Sequence, residues 1–200
     1  MDHLHDRYPR LVEYVRSLPA GLGSHPACKA RGSVLHAVLA AAGHGALLDA
    51  PPELQPVFAP PPRPWVPEVV LQAAVLGVAD HLRMDEGSFL AWNHQLNLEL
   101  YQSGVYRALM AFLSPRTLLE RGASRWSAFH QGTVLTVLPD GGGREVSARL
   151  DFPHRLFNPL LLRAYAEAFR AALVHSRGRN PSVAVAEEAE THARFLARWE

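Results

Sequence analysis

Apolar residues recur at spacings of three and four over most of the first 130 positions, and at spacings of two over most of the last 70. Pro9 behind Asp6 predicts a helix over about 9–18, ended by Pro19 and Gly21. Val34, Leu35, Val38 and Leu39 form a stripe that predicts a second helix over 27–42, with Gly43 as its stop. Pro67 opens a third, rich in Val, Ala and Leu, to about Leu82. Asp85 is placed to cap a fourth, in which Phe89, Trp92, Leu96 and Leu100 share a face. A short helix carrying Tyr106, Leu109, Met110 and Leu113 follows Ser103-Gly104. Ser114-Pro115 then reads as cap and first residue of a helix reaching His130, closed by Gly132.

From Thr133 the period becomes two. A strand formed by Val134, Val137 and their neighbours and another over 145–152 flank a Pro-Asp-Gly-Gly-Gly turn. Asn158-Pro159 starts a long apolar helix to about His175, and strands over 182–187 and 192–199 close the chain. The predicted fold class is α+β: an N-terminal helical layer, then a β-β-α-β-β antiparallel sheet with one long helix packed on it. One domain is expected over 1–200, its helical part reaching about 132 and its sheet part filling 133–200. Between Pro51 and Pro67 eight of seventeen residues are proline, which predicts a stiff, extended strap without ladder hydrogen bonds.

Composition narrows the function classes. Two hundred residues, 48% hydrophobic and 20% charged, exclude wholesale disorder and a dense disulfide scaffold. Net charge is +1, with no clustered basic face, so no nucleic-acid partner is expected. Cys28 is the only cysteine, and there is no Cys pair at zinc spacing, so a reducing, cytoplasmic setting and no metal are expected. The uncharged run from Gly32 to Leu48 is short for a membrane span and reads as a buried helix. No Gly-x-Ser-x-Gly elbow, His-Glu-x-x-His or phosphate loop occurs; Gly141-Gly142-Gly143 is a hairpin tip.

Tyr106 through Leu113, Ser114-Pro115-Arg-Thr-Leu-Leu, Trp126-Ser-Ala-Phe129-His130-Gln-Gly132, the strand pair, the 153–173 helix and the last strand ending in Trp199 resemble a myxobacterial paralogous family. Its element order is similar to the superfamily of heme–nitric-oxide-binding (H-NOX) and 4-vinyl-reductase domains. The resemblance covers about residues 100–199. It implies helices roofing a β-β-α-β-β sheet over an apolar chamber for heme, a hydrocarbon or an acyl chain. Heme-binding members use an axial His before the sheet and a Tyr-x-Ser-x-Arg triad. Tyr101-Gln-Ser103-Gly-Val105 has Val where Arg is required, and His130 falls in the last predicted helical turn, so no cofactor is expected and heme is disfavoured.

Trp92, Leu96, Tyr106, Met110, Trp126, Phe129, His130 and Phe169 are the expected ligand-binding residues, with Trp126 and His130 at i and i+4 on one helix face. The expected function is a non-catalytic sensor, carrier or adaptor domain for a small apolar ligand or protein partner, with a homodimer possible. One alternative is an enzyme using His130 or His94 as acid–base group; another is an interaction module of a larger assembly.

Overall fold

A computed structural model describes residues 2–43, 52–102, 114–138, 143–176 and 179–200. The chain forms two compact units: Met1–Phe89 with His130–Gly132, and Leu90–Phe129 with Thr133–Glu200.

The first unit is built around one helix. After a short turn of helix, α1 (Asp2–His5), come α2 (Pro9–Ser17), β1 (Lys29–Arg31), α3 (Gly32–Ala41), α4 (Gln55–Phe58), β2 (Trp65–Pro67) and α5 (Glu68–His81). Every residue of α5 from Glu68 to Asp80 is buried. A helix hydrophobic on all sides can only be a central one, and α2, α3 and α4 all pack on it. Asp80, buried at its far end, accepts the Leu11 amide at 3.0 Å and faces Arg10 at 3.5 Å, satisfying a first-turn donor of α2.

A small sheet, ordered β2-β1-β3 and antiparallel throughout, completes this unit. Its third strand is β3 (His130–Gln131), with Ala30 opposite His130 and Lys29 opposite Gln131. Two expectations are corrected here. Lys29–Arg31 is a strand rather than the first turn of a 27–42 helix. The helix expected to reach His130 stops at Ser124, where Gly122 and Ser124 weaken it; a tight turn over Trp126–Ala128 follows, and His130 joins the ladder instead. The strap is corrected in part: it folds into a helical turn over Gln55–Phe58, and its end, Trp65–Pro67, does pair with β1.

Helix α6 (Glu86–Gln102) begins in the first unit and continues into the second. Asp85 accepts the Ser88 amide at 2.7 Å and caps it, as expected. The helix expected around Tyr106–Leu113 and the turn at 139–142 lie outside the described residues. In the second unit α7 (Pro115–Ser124) is capped by Ser114, whose hydroxyl accepts the Thr117 amide at 3.2 Å, and α8 (Pro159–Val174) by Asn158, which accepts the Leu161 amide at 2.9 Å.

The four strands β4 (Val134–Val137), β5 (Glu145–Asp151), β6 (Ser182–Glu188) and β7 (His192–Arg198) form an antiparallel sheet ordered β4-β5-β7-β6, as the alternation predicts. Register puts most of the apolar alternates on one face. Leu135 is opposite Leu150, Val146 opposite Ala197, Ala148 opposite Phe195, and Val183 opposite Ala197 from the other side. Helices α7 and α8 cover that face through Leu118, Leu119, Ala172 and Leu173. The opposite face carries ion pairs, Arg198 with Glu145 at 2.6 Å and Arg194 with Glu187 at 3.4 Å.

Phe195 is 1% exposed, edge-on to Phe169 at 5.0 Å. Phe195→Ala is expected to cost about 3–5 kcal/mol by cavity formation, whereas Thr136→Ala on the exposed alternate is expected to fall within about 0.5 kcal/mol. Urea unfolding midpoints check both.

Candidate functional site

The expected site residues divide as follows. Tyr106 and Met110 lie outside the described residues. Trp126, Tyr165 and Phe169 form an aromatic group in the second unit, with ring centroids 6.2–6.3 Å apart, and Phe157 extends it at 5.0 Å from Tyr165. The Trp126 indole donates to the Thr133 hydroxyl at 2.9 Å. Leu96 is buried, and Trp92 and Phe129 are half-buried. His130 does not share a helix face with Trp126, because it is a strand residue of the first unit.

There His130 meets a carboxylate. Its Nδ1 lies 3.0 Å from Oε2 of Glu68, the first residue of α5, whose side chain is 0% exposed; the His130 side chain is 13% exposed. Gln72, one turn on, donates to Glu68 Oε1 at 2.7 Å. The Glu68 amide donates to the Cys28 carbonyl at 2.9 Å. Both oxygens of the buried carboxylate are therefore engaged, and the positive end of the helix dipole adds to their stabilisation. Where Glu68 is ionised it can only accept, and the imidazole proton then lies on Nδ1.

Local sequence explains the approach. Gly132 stands at φ +76°, a left-handed conformation that favours glycine. A Cβ there would lie 2.7 Å from the Ala27 carbonyl oxygen and 2.8 Å from Cys28 Sγ. The bare glycine lets the chain after β3 run against Cys28, whose thiol donates to the Gly132 carbonyl at 3.4 Å. Burial, and then the charge of Glu68, pushes the Cys28 thiol up from its ordinary pKa. Burial, Glu68 and Cys28 do the same to the Tyr14 phenol, which stays protonated.

Of these residues, sequence reading singled out His130 and Cys28, and passed over Glu68 and Gln72. The missed signal is in α5 itself: from Glu68 to Ala79 every residue but Glu68 and Gln72 is apolar or glycine, and those two are i and i+4. Two polar groups on one stripe of a wholly buried helix must find partners.

A second imidazole, His94 on α6, lies 3.2 Å from Glu167 Oε2, which Arg170 also holds, at 2.6 Å. The nearby amides serve their own helix: Asn97 donates to the Asn93 carbonyl at 2.8 Å. Among the described residues no group of three or more His, Cys, Asp or Glu side chains could hold a metal ion by itself, and no helix is long and apolar enough to cross a membrane.

No family model and no curated protein matches the chain. Solved structures do. One from a study of heme distortion in the H-NOX family superposes with a TM-score of 0.62 at 9% identity, over 85% of this chain and 95% of its own. The oxygen complex of an oxygen-binding H-NOX domain related to soluble guanylate cyclases gives 0.60 at 8%, over 85% and 95%. An H-NOX protein from S. oneidensis in the Fe(II)NO state gives 0.54 at 16%, over 85% and 99%.

The chain has the H-NOX fold. The match exceeds the back hundred residues to which the sequence resemblance was confined, so the H-NOX likeness includes part of the helical half. The expectation of no cofactor is overturned, because the domains that share this fold are heme proteins. A histidine whose ring is oriented by a carboxylate, as His130 is by Glu68, is of the kind that would hold a heme iron. Of the Tyr101–Val105 stretch, Tyr101 lies on α6, edge-on to His175 at 6.5 Å; Ser103 and Val105 lie outside the described residues.

Glu68→Ala is expected to lower unfolding free energy by about 1–3 kcal/mol for each donor it strands, and Glu68→Gln, which keeps an acceptor, by less; urea denaturation separates them. Cys28 is expected to resist a thiol-specific chromogenic reagent near neutral pH until the chain unfolds. The labelling rate with and without denaturant checks this.

Proposed function

We propose that this chain is a ligand-binding sensor domain that reads its ligand through the Glu68–His130 couple, with heme as the ligand its donor set fits. The observation that supports this most is the 3.0 Å contact between His130 Nδ1 and a wholly buried carboxylate. His130 would hold the iron through the ring that Glu68 orients. When bound, heme supplies an iron that accepts a diatomic gas.

The protein's own part is positional. Glu68 fixes the tautomer and orientation of the imidazole and adds to its basicity. Gln72 holds the carboxylate from behind. The ladder pairing of His130 with Ala30 fixes the backbone from which the ring projects. A change at the ring is then transmitted into α5, the helix on which the first unit is built.

Titration of the purified chain with hemin is expected to give a saturable, sharpened Soret band. His130→Gly is expected to lose it and exogenous imidazole to restore it, while His94→Ala leaves it unchanged. A Soret band that does not saturate, or that His130→Gly leaves intact, contradicts the assignment.

A further inference from the structure

The proline-rich segment is not used by the cluster just described. Residues 59–64 have no regular secondary structure, and Pro61, Pro62, Arg63 and Pro64 are all exposed. Proline fixes φ near −65° and keeps the residue before it out of the helical region, so Pro60, Pro61 and Arg63 are held extended, as in a polyproline II turn, up to the bend at Pro64. With three residues per turn, Pro61 and Pro64 fall on one edge.

The segment is held from beneath. The Gly32 amide donates to the Pro64 carbonyl at 3.0 Å, and a Cβ on Gly32 would lie 1.9 Å from the Arg63 carbonyl oxygen. The strap therefore rests directly on bare backbone. Its continuation is paired with β1, Arg31 opposite Trp65 and Lys29 opposite Pro67, and the Arg31 guanidinium covers the Trp65 ring at 4.4 Å.

This surface is basic. Residues 59–67 contain no Asp or Glu, Arg63 and Lys29 are exposed, and Arg31 stands beside them. We propose that the exposed Pro61–Pro64 turn is a preformed docking ligand for another protein, one that presents an aromatic-lined groove rimmed by carboxylates. Grooves of this kind take the two prolines of one edge between aromatic rings and pair a neighbouring cation with an acid. Anchoring by Gly32 and β1 removes most of the ordering cost of binding.

The test is a titration of the 15N-labelled full chain with a purified SH3 domain whose groove has an acidic rim. Saturable shifts confined to Ala59, Arg63, the Trp65 indole and β1, weakened by added salt, are expected. Pro61→Ala/Pro64→Ala is expected to weaken binding at least about tenfold, and so is Arg63→Glu, which leaves both prolines in place. Amide spectra of the variants matching the parent elsewhere establish that they fold. No saturable shift by about 1 mM domain, shifts centred elsewhere, variants that bind like the parent, or self-association through this face would each overturn the proposal.

Discussion

A carboxyl group with no solvent exposure needs hydrogen-bond partners where it stands, and Glu68 sets that condition for the whole first unit. Leaving either of its oxygens unpartnered would cost about 1–3 kcal/mol. Gln72 and His130 supply those partners. Each contribution demands structure elsewhere. His130 reaches Glu68 only because the helix of α7 ends early and the chain returns as β3. The return requires a glycine at 132, and β3 requires β1, a strand of three residues, as its ladder partner. The small sheet is therefore best understood as a device for delivering an imidazole to the first turn of α5.

The second unit is organised by the opposite kind of force. Its sheet has an apolar face under α7 and α8 and a charged face bearing exposed ion pairs. Pairs of that exposure contribute little to stability, so the unit rests on burial of Val146, Leu150, Phe195 and Ala197 and on the aromatic group around Tyr165. A one-residue slip of a strand would turn its members of that set to the charged face.

What could be read from the sequence followed the range of the signal. Ser114, Asn158 and Asp85 act on amides three residues away, and the strand alternation of 145–151 and 192–198 repeats several times, so caps, strands and the long helix were all legible. β1 and β3 were not. Strands of three and two residues hold no period, and the Cys28–Gly132 contact beside them spans 104 residues. The strap misled because proline composition speaks for φ alone: it does not exclude the helical turn at Gln55–Phe58 or pairing through the acceptors of Trp65–Pro67. His130 was found by its residue type; its partner was not, because Glu after Pro at a helix start is ordinary, and only the apolar surroundings of Glu68 and Gln72 mark them out.

The functional reading rests on the orientation of a single ring. If Glu68 governs it, His130 carries its proton on Nδ1 and presents Nε2 as the basic nitrogen. Long-range 15N–1H correlation of the histidine ring nitrogens in the ligand-free chain measures this directly. The account predicts a His130 signal of the Nδ1–H tautomer that collapses to tautomeric exchange in Glu68→Ala; an Nε2–H tautomer, or a ring indifferent to loss of Glu68, would contradict it.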